Sequence, residues 1–205
     1  LKLCEDDDND GSGASLFGGL SLNGSRLGGN LWANHLIVWA SNTSALILQS
    51  MRIGNSLVMT DCLVRGRLDG LLMQVNGSAY FSNMTFAPAP QSSTSDKQAQ
   101  LSACFDVWSA IIEGKLVLSG VSAAQGIEFG DVELGDSTIG DLNAHELNVD
   151  ALYVHSNIRN NLELQQISAQ KVSLFGSTIG GSLKHTQKES PSNAHTALNS
   201  FIASQ

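Results

Sequence analysis

The sequence predicts an all-β fold of one kind: a single-stranded, right-handed parallel β-helix with about 20 residues per turn and about seven turns. Three observations carry this. Apolar residues recur in columns spaced by 20: Val132, Leu152 and Val172; Leu134, Val154 and Leu174; Ile127, Leu147 and Ile167. A longer rule (apolar-x-apolar, four residues, apolar, three residues, Leu) reads Leu20-x-Leu22-NGSR-Leu27-GGN-Leu31, and returns from Leu46 to Leu57 and from Val172 to Leu183. Charged residues are only 15% of the chain and glycines number 20, a composition of strands and tight turns. Self-similarity at a fixed period is the signature of a solenoid. Parallel crossovers give it a right hand.

Taken in order, residues 1–14 read as an acidic, flexible N-terminal segment, and the β-helix runs over 15–187. From Leu22 to Leu48 is 26 residues, and removing Trp39–Ala45 leaves one ordinary turn, so a loop is expected at 39–45. The stretch from Cys62 to Phe86 is less regular, with Ala79/Phe81 and Met84/Phe86 as strand pairs. Residues 87–100, APAPQSSTSDKQAQ, read as a Pro/Ser/Gln-rich excursion, and a second lies at 119–126. In the second half Ile127/Phe129, Val132/Leu134, Leu147/Val149, Leu152/Val154 and Leu162/Leu164 alternate with period two, the pattern of short strands with one face inward.

Three such strands and three corners per turn are expected. The corners are marked by Leu27, Ile53, Ile112, Ile139, Ile158 and Ile179, with one irregular turn besides, and the rod is about 35 Å long. Glycines follow these corners at 28–29, 54, 140 and 180–181, which suggests backbone with positive φ there. Asn23-Gly24 and Asn76-Gly77 are hairpin dipeptides, but an antiparallel meander does not require a 20-residue register. At the end, Ser190-Pro191 is a helix start, and Ala194, Ala197, Leu198, Phe201 and Ile202 form an apolar stripe. Residues 188–205 therefore read as a short amphipathic helix capping the last turn or as a partner-binding tail, with Phe201 and Ile202 as interaction candidates.

Charge narrows the partners. The net charge is −8 and the eleven Lys and Arg are scattered, so a nucleic acid or an anionic membrane is not the expected partner. No apolar stretch is long enough for a membrane helix, and no signal peptide is recognised; both bacterial cytoplasmic and secreted or cell-surface locations fit. Three separated cysteines without a CxxC pair indicate neither a disulfide framework nor zinc, and Cys62 and Cys104 read as small buried apolar residues. Sequons occur at Asn23, Asn42, Asn76 and Asn83.

Chemistry-bearing residues are few. Asp6, Asp8, Asp10 and Gly11 have the spacing of a calcium loop, although Phe17 stands where such loops place a bidentate Glu. Ca²⁺ is the only cofactor this sequence raises. Catalytic β-helices such as pectin lyases cluster acids on one sheet face, whereas the aligned outward columns here are Glu133–Tyr153–Ser173 and Glu128–Asn148–Ser168, and Asp131, Asp136 and Asp141 belong to different corners. No catalytic residue is assigned. His145, Gln165 and His185 read as one polar column. Trp39, beside the expected loop, is the candidate binding aromatic; Trp32 and Trp108 are expected to pack.

The segment from Thr138 to Leu183, TIGDLNAHELNVDALYVHSNIRNNLELQQISAQKVSLFGSTIGGSL, resembles the rungs of bactofilins, the polymer-forming bacterial cytoskeletal proteins. It is also similar to the loose Leu/Gly relatives of pentapeptide-repeat proteins. The resemblance covers residues 127–187 best and implies a non-enzymatic scaffold or protein-interaction module, binding another protein or itself through its ends or faces. The alternative is a carbohydrate-binding or carbohydrate-processing surface β-helix, with the regions around Trp39 and 87–100 forming the groove.

Overall fold

The structure is a computed structural model that describes residues 1–3, 14–87, 103–123 and 131–186. These residues form one parallel β-solenoid of seven turns. Turn one is β1 (Ser15–Phe17), β2 (Leu20–Ser21), β3 (Arg26–Leu27) and β4 (Leu31–Asn34). Turn two is β5 (Ile37–Ile47), β6 (Arg52–Ile53) and β7 (Leu57–Thr60); turn three is β8 (Leu63–Asp69), β9 (Gln74–Val75) and β10 (Ala79–Ser82). Turn four holds β11 (Thr85–Ala87), β12 (Ala103–Asp106) and β13 (Ile111–Ser119), and turn five β14 (Ser122–Ala123) and β15 (Asp131–His145). Turn six adds β16 (Ala151–Ile158) and β17 (Leu162–Gln165), and turn seven β18 (Lys171–Ser173), β19 (Thr178–Ile179) and β20 (Leu183–Thr186). Long strands such as β5, β13 and β15 run across corners and serve two or three sides.

Each turn has four sides, not the three expected. The residues expected at corners form a side of their own, as the two-residue strands β3, β6, β9 and β19 or as parts of the long strands β13, β15 and β16: Leu27 pairs with Ile53, Ile53 with Val75, Val75 with Ile112, Ile112 with Ile139, Ile139 with Ile158 and Ile158 with Ile179. A strand offering one apolar residue shows no alternation, so period two could not reveal it. Val75 marks the turn that looked irregular.

The plain turn is 20–22 residues and longer ones carry insertions. Seven steps from Trp39 to Leu46 face three from Arg65 to Leu68, an excess of four residues. β5 continues through the stretch expected to bulge, with two register shifts, and between Trp39 and Leu46 only Ser44 pairs with β8. From Leu46 to Leu68 is 22 residues, but from Leu68 to Phe105 it is 37, and the fifteen extra are 88–102, which lie outside the described residues. Of the expected excursion at 119–126, the described part is the end of β13 and β14.

The core is a stack of columns. On the second side Leu46, Leu68, Phe105, Val132 and Leu152 lie one above another, all buried, and on the fourth Leu57, Ala79, Leu116, Leu142 and Leu162 do the same. Burying such a side chain contributes about 1.5–3 kcal/mol. Phe81 and Phe86 each meet Phe105 edge-on, at 4.8 and 6.2 Å between ring centres, and fill the core of turns three and four. Cys62 and Cys104 are buried, as the sequence indicated.

Corners are built in three ways. Between the fourth and first sides His35, Asp61, Asn83, Gly120, Glu146 and Gln166 all have positive φ, and between the second and third so do Gly24, Ser50, Leu72, Ser109, Asp136 and Gly176. Their N–H groups still donate to the turn above, as from Asp61 to Ser82 and from Ser109 to Gly135. The glycines at 28–29, 54, 140 and 180–181 are not in this set, contrary to expectation. Most are there for space: a Cβ on Gly54 would sit 2.3 Å from the Gly28 carbonyl oxygen, and one on Gly140 2.3 Å from that of Gly114. Polar side chains bridge the remaining gaps. Ser137 donates to the Val107 carbonyl at 2.8 Å, Ser156 to that of Leu134 at 2.7 Å, and Ser177 to that of Val154. On the outside, Asn30 accepts from the Ser56 amide, Ser78 from Lys115, Asp141 from Asn161 and Asn161 from Ser182, each one turn on.

Candidate functional site

Parallel in-register strands carry outward residues into vertical columns as strictly as inward ones. The column of the second side reads Ser21, Ile47, Asp69, Asp106, Glu133, Tyr153, Ser173. Its middle is a carboxylate ladder, which corrects the expectation that this column builds no acidic cluster. The 37-residue turn between Asp69 and Asp106 hides the alignment in the sequence.

Arg67 pairs with two rungs of the ladder. Its Nη2 lies 2.6 Å from Asp106 Oδ2 and 3.4 Å from Asp69 Oδ2. Gln49 Nε2 donates to Asp69 Oδ2 at 2.7 Å, and Trp108 Nε1 to Glu133 Oε2 at 3.3 Å. Asp69 and Asp106 are both buried, and Asp106 Oδ1 and Arg67 Nε have no hydrogen-bond partner. Burial pushes the Asp106 carboxyl up to about 6; the Arg67 guanidinium opposes this, and Asp69 and Glu133 reinforce it. Its geometry is that of a buried ion-pair cluster.

On the same side, the Trp108 ring covers Gly135, where a Cβ would lie 2.3 Å from it, but the residue stays 36% exposed, so it packs on one face only and not fully as expected. Higher up, Lys171 stands over the Tyr153 ring at 4.9 Å, and His155 meets Tyr153 and Phe175 edge-on. Desolvation raises the Cys104 thiol to about 12, which makes it a poor nucleophile.

Trp39 lies on the first side, in the outward column Phe17, Trp39, Arg65, Ala87. The Phe17 ring is 5.6 Å away in the turn below, and the Arg65 guanidinium sits 4.0 Å over the indole in the turn above. Both faces of Trp39 are thus engaged within the chain, and Phe17, 78% exposed, is the open end of the column.

The fourth side carries the column Trp32, Val58, Tyr80, Val117, Asn143, Glu163, Lys184. Trp32 does not pack as expected: it points outward and is 45% exposed, with Tyr80, two turns up, at 36%. Beside it run Asn34, Thr60, Ser82, Ser119, His145, Gln165 and Thr186. Contrary to expectation, His185 is not in that column; it follows Leu164, because the last turn is one residue longer than 20. On the other edge Asp141 is held below the ordinary carboxylate range. Burial works against this, but hydrogen bonds from Asn161 and Asn160 outweigh it.

The two ends differ. At the first, Lys2 bridges to Trp32, with Leu3 N donating to Trp32 O at 2.8 Å, so residues 1–3 lie along the fourth side of turn one. At the last, β18, β19 and β20 pair only downward, with turn six, among the described residues. Leu152, Val154, Ile158 and Leu162 of turn six are completely buried, yet in turn seven Val172 is 37% and Leu183 41% exposed, and Leu174 and Ile179 are only partly buried.

The calcium candidates Asp6, Asp8 and Asp10 and the interaction candidates Phe201 and Ile202 lie outside the described residues. Among the described residues no group of three or more His, Cys, Asp or Glu is arranged to hold a metal, and no helix is long and apolar enough to cross a membrane. No family model matches the chain, and neither a curated protein nor a solved structure is significantly similar to it.

Proposed function

We propose that this chain is a non-enzymatic scaffold that associates with a second copy of itself through its C-terminal turn. The observation that carries the reading is the exposed top of the apolar columns: Val172 and Leu183 stand open directly above side chains that are wholly buried. Strand edges unpaired among the described residues, over a half-covered core, are a template for another chain. Residues 1–3 lie along the other end, so contact of turn seven with turn seven closes at two copies around a two-fold axis. The resemblance of Thr138–Leu183 to the polymer-forming bactofilins supports self-association.

The test is light scattering across a concentration series, on the unaltered chain and on Val172→Asp and Leu183→Asp variants whose circular dichroism matches it. A monomer–dimer equilibrium that either charge abolishes is expected. A monomer at every concentration, or a dimer indifferent to both substitutions, overturns the reading.

A further inference from the structure

We infer that the fourth side of turns one to three is a binding face for a neutral β-1,4-linked glycan. This goes beyond self-association and uses a different surface. The face consists of Asn30–Asn34, Ser56–Thr60 and Ser78–Ser82, laid side by side in strict register. None of these residues is charged, although the protein as a whole has a net charge of −8; the charges nearest the face lie at its lower border, where Lys2 pairs with Trp32 and the α-ammonium of Leu1 donates to the Asn30 carbonyl. A face without charge, on a protein otherwise acidic, selects against cations and gives an anionic polymer no counter-charge. An uncharged ligand is what it complements.

The centre of the face is aromatic. Trp32 and Tyr80 project from one column with Val58 between them, and both rings are well exposed. Indole and phenol rings give a sugar's C–H face an apolar platform with a polar edge. The two residues are two turns apart, about 10 Å along the axis. That matches the two-sugar repeat of an extended β-1,4-linked chain, so alternate pyranose rings would meet Trp32 and Tyr80. The flanking rows hold only amides and hydroxyls: Asn34, Thr60 and Ser82 on one side and Asn30, Ser56 and Ser78 on the other. Of these, Asn30 Oδ1 and Ser78 Oγ already accept backbone amides of the next turn, which fixes their positions. Trp39 cannot serve the same purpose, because Phe17 and Arg65 engage its ring.

Calorimetry with cellohexaose, and a pull-down on insoluble cellulose, test the inference on the full chain. Binding is expected to weaken at least about tenfold in Trp32→Ala and in Tyr80→Ala, the loss of one stacked ring. Trp32→Tyr and the control Phe175→Ala, an exposed aromatic on another side, should bind as the unaltered chain does. Val172→Asp should leave glycan binding intact, so failure of self-association and failure of this inference are separable. No binding to either ligand overturns it. So does binding that both alanine variants retain, or equal binding to polygalacturonate.

Discussion

Gly28 and Gly54 sit in the same sequence setting, one turn apart, yet only Gly54 has a carbonyl oxygen where its Cβ would go. Gly54→Ala is therefore expected to cost about 1–3 kcal/mol by urea denaturation, as overpacking does, while Gly28→Ala stays within about 0.5 kcal/mol. Equal effects would mean that these glycines answer to backbone conformation after all. Asp106 gives a second residue-level prediction. Its carboxyl titrates at about 6 in the fold against 3.8 in the unfolded chain, so between those values the folded protein holds a proton that the unfolded one has released. Stability from this group is complete below pH 4 and is lost as pH rises through 6. The stability difference between Asp106→Asn and the unaltered chain should thus move in favour of the variant by about 2.5 kcal/mol from pH 4 to pH 7.5. A flat difference would contradict the buried placement. Neither feature was legible from residue types alone: one depends on the approach of two backbones, the other on a register hidden by fifteen intervening residues.

At the scale of elements, the inward columns were readable because they repeat in kind: Val132, Leu152 and Val172 need no structure to be aligned. The corners were not, because the left-handed position between the fourth and first sides is filled in turn by His35, Asp61, Asn83, Gly120, Glu146 and Gln166. What these share is a backbone angle and a hydrogen bond to the next turn, and neither has a residue signature. The third side was missed as a side because each of its strands buries one residue. β5 shows how an element absorbs extra chain: four residues enter within a strand, and pairing resumes at Ser44 with Arg67 and, after a second shift, at Leu46 with Leu68. Deleting Ser41–Ser44 would restore the plain turn. Because loop length costs little entropy, the deletion should change stability by no more than about 1 kcal/mol and leave the circular dichroism unchanged. Unfolding of the variant would show that the excess residues bear on the core.

For the whole molecule, the period and the number of turns were in the sequence, and they fix a rod with one column per aligned position. Function depends on what the columns present outward and on how the stack ends. Those follow from register across insertions, which is why the carboxylate ladder and the Trp32–Tyr80 face emerged only from the pairing. The ladder resolves into an ion-pair cluster, and the exposed apolar residues include Trp32 and Tyr80 on the fourth side and Val172, Phe175 and Leu183 at turn seven, besides Phe17 on the first side and Leu71, Leu72, Trp108 and Ile111 in turns three and four. Hydrogen–deuterium exchange at low and high protein concentration tests the central claim most directly. The backbone amides of Lys171–Thr186 should become protected as concentration rises, while those of turns two to five keep their rates. Protection that is independent of concentration, or that rises at some other part of the stack, would contradict association through the open turn.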